Sequence, residues 1–334
     1  MKKITRRSVL RLSGLAAASL ALTSCRAAGS AAVGSRFSDW LRQKLANSSS
    51  SASSEAAASG EAAASSEAAA SSAAAEEPAA SSWLPAYDAD PLTGEANRSS
   101  GRIVGVMVNN ISYSERQNAR PQRGLSSADL LIESKVEGGI SRFCAVYYDA
   151  NAIPEVGPLR SGRDQFLQLL MPWQALYYHD GESAPCTKFI NVYNYSGLNI
   201  GGKSYFNTPT HPHVAHRDSR GRNVAYEHTE FTSGAEIRKA AANAGIGLQY
   251  PYESTFFRFA DYRTGAENKM SGAAAAKTIN IVHSDSYKTT FSYNRWDHLY
   301  KMSMYSRAAG AFENTVDELT GKQLGFTNLL VCFA

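Results

Sequence analysis

Cysteine is scarce in this chain: 334 residues hold 4 of them. With Cys25 set aside, Cys144, Cys186 and Cys332 cannot all pair internally, and none sits at metal-ligand spacing. That excludes a disulfide scaffold and a thiolate zinc module. Cys144 and Cys332 lie in apolar runs and are expected to be small buried hydrophobes. Long apolar runs are also missing, because the stretch from Leu12 to Leu22 is too short for a membrane span. No G-x-G-x-x-G dinucleotide fingerprint occurs, and no H-E-x-x-H pair. Ser183 has no nucleophile-elbow glycines around it. His211, His213 and His216 share a long loop without zinc-site spacing, so no metal and no cofactor is expected.

Excess charge of one sign is lacking too, once the start of the chain is read correctly. Lys2, Lys3, Arg6, Arg7 and Arg11 precede Cys25 and carry the formal +4 down to about −1 for the remainder. A near-neutral chain has no long-range field to gather nucleic acid, so none is expected as a partner. The basic residues, the apolar run and Leu22-Thr23-Ser24-Cys25 form a secretory leader over residues 1–25. Its small-residue end resembles the bacterial lipobox, with Cys25 acylated and anchored in the membrane. Thr5-Arg6-Arg7-Ser8-Val9-Leu10 also resembles a twin-arginine signal, leaving the export route open. The expected location is extracytoplasmic, on the outer face of the bacterial cell membrane.

Residues 26–82 read as a linker rich in Ala, Ser and Glu. E-A-A-A-S recurs at Glu55, Glu61 and Glu67, and no large apolar side chain lies between Leu45 and Trp83 apart from the ring of Pro78. Such a stretch cannot bury a core and is expected to be a disordered, solvated spacer. From Trp83 the pattern becomes that of an α+β (mixed α/β) fold: mixed sheets with a few helices. Strands are expected at Arg102–Asn109, Asp129–Val136, Phe143–Tyr148 and Ala175–Tyr178. Gly138-Gly139 turns the second into the third. Helices are expected from Gln165 to Leu170 and, with Ser233 as cap, from Ser233 to Ala244. Ser196 to Arg222 reads as loop. Further strands are expected at Thr255–Phe259, Thr278–His283, Thr289–Tyr293 and Tyr300–Tyr305, and a terminal apolar strand at Leu329–Ala334.

Several stretches carry a family resemblance. They are Pro91-Leu92-Thr93-Gly94, Arg120-Pro121-Gln122 with Gly124-Leu125-Ser126 and Ala128-Asp129, Glu133 with Val136-Glu137-Gly138-Gly139, and Gly157-Pro158 with Arg160-Ser161 and Arg163. They resemble the YerB-like bacterial lipoproteins, a family built around a domain of unknown function. Tyr293, Tyr305 with Arg307, Gly310 and Asn328-Leu329-Leu330-Val331 are similar to its C-terminal part. The resemblance implies an N-terminal domain over residues 83–250 and a C-terminal domain over 251–334, the latter several tens of residues shorter than the family's. A family motif around His228 keeps the histidine and loses an asparagine. The resemblance implies a compartment and an architecture, and no reaction.

Candidate chemistry gathers between Ala119 and Phe143. Glu133 and Glu137 lie four apart and would share a face if their strand persists that far, so they could act as acid and base. His179, at a strand end beside Asp180, is the third catalytic candidate. Arg120, Gln122, Arg142, Arg160 and Arg163 suit a phosphate or carboxylate, with Asn109 and His228 as further ligand contacts. The alternative is that these arginines are structural, paired with Glu133, Asp129 and Asp164. The expected functions are recognition of an anionic or glycan cell-wall polymer, hydrolysis of an envelope glycan or phosphodiester, or a scaffold without a small ligand.

Overall fold

The computed structural model describes residues 90–94, 101–201, 210–250, 257 and 273–333. The leader, the linker and, Phe257 apart, the strand expected at Thr255–Phe259 lie outside them. The described residues form an α+β fold. No described helix is long and apolar enough to cross a membrane.

The first sheet has five strands. They are β1 (Val104–Val108), β2 (Leu130–Lys135), β3 (Ser141–Tyr147), β4 (Leu176–His179) and β5 (Asn199–Gly201), in the order β2-β3-β1-β4-β5. The β2–β3 and β3–β1 pairs are antiparallel, while β4 runs parallel to both β1 and β5. All five residues of β1 are buried, as its unbroken apolar sequence requires of a strand covered on both faces. Gly105 lies against Leu170 at the end of α1 (Asp164–Leu170), where an added Cβ would strike the leucine. On the opposite face Val104, Val106 and Val108 join one continuous core with Ile237, Ala240 and Ala241.

Two further helices complete the described set. The first is α2 (Ala184–Val192), which the sequence did not announce: Ser183 caps it by accepting the Cys186 N–H at 3.3 Å. Ser183 is thus a capping residue, and Pro185 in the first turn suits the helix start. The second is α3 (Gly234–Asn243), capped as expected by Ser233, whose Oγ accepts the Glu236 N–H at 3.4 Å and whose hydroxyl donates to the Glu236 carboxylate at 2.9 Å. The stretch Ser196–Arg222, expected to be loop, contains β5 and the short strand β6 (His216–Arg217), which pairs with β7 (Glu230–Phe231).

The second sheet is an antiparallel meander. It comprises β8 (Thr278–Ser284), β9 (Tyr287–Asn294), β10 (Leu299–Ser306) and β11 (Ala311–Asn314), in the order β11-β10-β9-β8. Beyond it β12 (Val316–Asp317) pairs with β13 (Lys322–Gln323), and β14 (Gly325–Phe326) pairs with Tyr300 and Lys301 of β10. Phe291, Met302, Met304 and Leu324 enter the same core as β1. No strand forms at Leu329–Phe333: Leu330 is 52% and Phe333 95% exposed. β14, which precedes the tail, pairs with β10 only at Tyr300 and Lys301, and the tail beyond it pairs with no described strand. Cys332 is exposed, contrary to expectation, while Cys144 is buried on β3.

The two sheets are fastened through the irregular stretch Arg120–Ser126. Buried Asp317 accepts the backbone N–H of Ser126 at 2.7 Å and of Gly124 at 3.3 Å. Gly124 has φ +84°, and a Cβ there would press on the Glu155 carbonyl, so the turn needs glycine. The Glu318 N–H donates to the Gln122 carbonyl at 2.9 Å. Removing the Asp317 carboxylate would strand buried N–H groups, which costs about 1–3 kcal/mol. Asp317→Ala is therefore expected to lower the urea unfolding midpoint by that amount of stability with an unchanged slope, read by circular dichroism.

Candidate functional site

At the end of β1 the chain leaves the sheet with two buried amides. Asn110 donates from Nδ2 to Ser141 Oγ at 2.8 Å. Its Oδ1 accepts from Arg120 Nε and from Gln122 Nε2, both at 3.0 Å. Gln122 also donates to the Asn109 carbonyl at 3.0 Å. The Ser141 hydroxyl passes the chain on, donating to Glu133 Oε1 at 2.6 Å. Thr289 of β9 donates to the other carboxylate oxygen at 2.9 Å. Asn109 donates to His228 Nδ1 at 2.9 Å, and His228 Nε2 donates to Gln117 Oε1 at 2.8 Å. One buried polar network thus runs from Thr289 to Gln117. It includes Asn109, Arg120, Gln122, Glu133 and His228, with Asn110, Ser141 and Gln117 as members that spacing alone did not single out. Arg120 also donates to the Tyr305 carbonyl of β10 at 3.1 Å, and burial lowers its pKa.

Glu133 belongs to this network and Glu137 does not. β2 ends at Lys135, and Glu137 lies in a single 3-10 turn, so the condition for a common strand face is not met. Glu133 is held by Ser141 and Thr289, with His283 Nε2 at 3.3 Å. Glu137 stands out toward solvent and pairs with Arg163 Nε at 2.8 Å. Partial burial would raise the Glu137 carboxyl, but the Arg163 hydrogen bond, a backbone N–H and the charges of Arg163 and Arg142 together outweigh it and hold the group below the usual range. His179 is buried. Its Nδ1 contacts the Gly181 carbonyl at 2.6 Å and its Nε2 contacts Asn199 Oδ1 at 2.7 Å. Both ring nitrogens are engaged, and Gly201 lies so close that any side chain there would strike the imidazole.

Arg142, Arg160 and Arg163 converge on the stretch that follows the Gly157-Pro158 turn. Arg142 donates to the Ser161 carbonyl at 2.5 Å and Arg163 donates to the same oxygen at 3.3 Å. Arg160 pairs with Glu227 at 2.8 Å. Burial, then the charges of Arg163 and Arg160, push Arg142 down to about 9. Its Nε is buried without a hydrogen-bond partner among the described residues. The acids that pair with Arg160 and Arg163 are Glu227 and Glu137, not the expected Glu133, Asp129 and Asp164. A second ionic cluster centres on Arg123, which bonds Glu155, Asp218 and Glu318.

Among the described residues one group could hold a metal: Asp180, His213 and Glu230. The residues Gly197 to Ser204 spell the G-x-x-x-x-G-K-S string of a P-loop. Its described part runs from a 3-10 turn into β5, whereas a P-loop opens after a strand and leads into a helix. The string lacks the structural context that would give it meaning.

The sheet order, the buried amide–arginine network and the Gly-Pro turn lie within one α+β region that is similar to known proteins. Residues 92–247 match the family described as Protein of unknown function (DUF3048) N-terminal domain. The candidate lipoprotein YerB of Bacillus subtilis (strain 168) is 29% identical over 250 residues, covering 72% of this chain. The match spans 66% of that relative's length, a little under two thirds. The crystal structure of YerB protein from Bacillus subtilis has a similar fold, with a TM-score of 0.50 at 23% identity over 71% of each chain. The chain is YerB-like, and the resemblance carried by its motifs holds.

His228 gives the network a pH dependence. Burial, opposed by Glu227, lowers it from 6.5 to about 4. As pH falls, the unfolded chain takes up this proton first. The contribution of neutral His228 is therefore complete above about pH 6.5 and is lost as pH falls toward 4. Urea midpoints measured from pH 7 to 4 are expected to fall more steeply for the native sequence than for His228→Gln. Parallel curves would show that His228 does not set the slope.

Proposed function

We propose that this YerB-like chain is a lipid-anchored extracytoplasmic recognition module, held to the membrane through acylated Cys25 across the Ala/Ser/Glu linker. Its N-terminal domain (83–250), followed by a C-terminal domain (251–334), presents a site for an anionic group of a cell-wall polymer. The similarity to a candidate lipoprotein agrees with the lipobox reading of Leu22–Cys25.

The observation that carries the ligand reading is the arginine group around Ser161. Arg142 keeps an unpartnered, buried Nε beside two further guanidinium groups. The Glu137 side chain that caps Arg163 is 63% exposed. An incoming phosphate or carboxylate can displace the exposed Glu137 and take the fork geometry of Arg163. It would also relieve the mutual repulsion of the three cations. Glu133, satisfied by two hydroxyls away from that rim, is a network member in this reading rather than an acid or base.

The test is sedimentation of the full-length chain, in detergent, with isolated cell-wall polymer, alongside mass spectrometry of the supernatant. Arg163→Ala is expected to weaken binding about 10- to 100-fold, the range for a lost charged hydrogen bond, and salt should weaken it further. Binding indifferent to Arg163→Ala and Arg142→Ala would sink the proposal. Released fragments that disappear with Glu133→Gln would replace it with hydrolysis. In cells, Cys25→Ser is expected to abolish incorporation of labelled palmitate and move the chain out of the membrane fraction.

A further inference from the structure

We propose that Asp180, His213 and Glu230 form a site for one divalent first-row metal ion, of the Zn²⁺ or Mn²⁺ type. One ligand atom from each of the three lies within 4.8 Å of the others. His213 Nε2 stands 2.9 Å from Glu230 Oε1. One imidazole and two carboxylates make a borderline-to-hard donor set, which suits these ions better than a thiolate-seeking one.

The three residues come from separate parts of the chain, and each is fixed by its backbone. Asp180 follows β4 directly, and its N–H donates to the Arg160 carbonyl at 3.2 Å. Glu230 opens β7, and its carbonyl accepts from the Leu159 N–H at 2.7 Å. His213 precedes Val214, whose N–H donates to the Tyr178 hydroxyl at 2.8 Å and whose carbonyl accepts from it at 2.7 Å. The His213 ring meets Tyr178 edge-on at 6.4 Å. Arg217 bonds the far oxygen of Glu230 at 3.1 Å, the place of an outer partner that orients a ligating carboxylate. The group is partly open, with His213 15% and Glu230 10% exposed at their side chains, which leaves room for water on an ion.

The other buried or clustered histidines differ in kind. His179 and His228 have both ring nitrogens engaged by side chains or backbone. His216 lies between Glu236 and Glu155, one carboxylate at each ring nitrogen, as a charged bridge would. At His213 the two carboxyls instead lie on one side, facing each other as well as Nε2. The site uses none of the side chains of the Arg142–Arg163 group and does not depend on any polymer being bound there.

The experiment is calorimetric titration of Zn²⁺ into the full-length, chelator-treated chain in detergent, with loss of the free Mn²⁺ resonance signal as a second probe. One ion per chain is expected. His213→Ala should weaken binding by at least the roughly 10- to 100-fold seen when an outer partner of a metal ligand is lost. Asp180→Asn keeps a hydrogen bond available to Glu230 and decides the matter should His213→Ala fail to fold. It too is expected to weaken binding at least about tenfold. Absence of binding by both ions, or affinity unchanged in both variants, would overturn the proposal.

Discussion

Backbone buried outside a sheet must still pair its donors and acceptors, and the stretch Arg120–Ser126 does so by drawing on both sheets. Its partners are Asp317 and Glu318 from the second sheet's side, and Asn109 and Asn110 from the end of β1. Each of those partners is itself buried or part-buried, so none can be solvated as a substitute. This explains why an irregular segment can hold the most demanding hydrogen bonds of the described fold. The apolar core then follows its lead: Leu125 enters the same cluster as Val108 on β1 and Leu324 beside β14.

The arginines divide by what answers their charge. Arg120 is satisfied by an amide and two carbonyl oxygens, with no carboxylate bonded to it, and burial lowers its pKa. Arg123 meets three acids, whose hydrogen bonds overcome burial and raise its pKa. Both are structural cations, in neutral and ionic surroundings respectively. Arg142, Arg160 and Arg163 differ because their two acids, Glu137 and Glu227, sit at the exposed rim while the Nε of the third guanidinium stays without a partner inside. Exposed ion pairs are worth little in water, so exchanging Glu137 for another anion costs little stability. That asymmetry is what the proposed anion site rests on.

Much of the fold was legible in the sequence because its signals are local. The apolar run of β1, the Gly138-Gly139 turn between β2 and β3, and the Ser233 cap all formed as their chemistry requires. What misled was context at longer range. Leu329–Phe333 has strand composition, yet it pairs with no described strand. Helix α2 lacks a strong apolar stripe at its start, and its signal, Ser183 before Pro185, is easily taken for loop. The segment of residues 120–126 could be marked as dense in functional residue types. Its partner Asp317 could not, since a carboxylate nearly 200 positions away carries no mark of the N–H groups it will accept.

The histidines show why residue type and spacing underdetermine chemistry. His179, beside an acid at a strand end, looked like a base, but burial and two filled ring nitrogens make it part of the packing. His213 had no spacing to recommend it, because its companions Asp180 and Glu230 reach it only after β4, the loop and β7 come together. Metal ligands brought together in this way obey distance in the fold rather than distance in the chain. The same closing of β4 and β7 sets the Arg160 carbonyl against the Asp180 N–H. The arginine group and the His213 group therefore share a backbone frame while differing in charge. One gathers cations around an empty donor, the other gathers acids around an imidazole, and each arrangement calls for a ligand of the opposite sign.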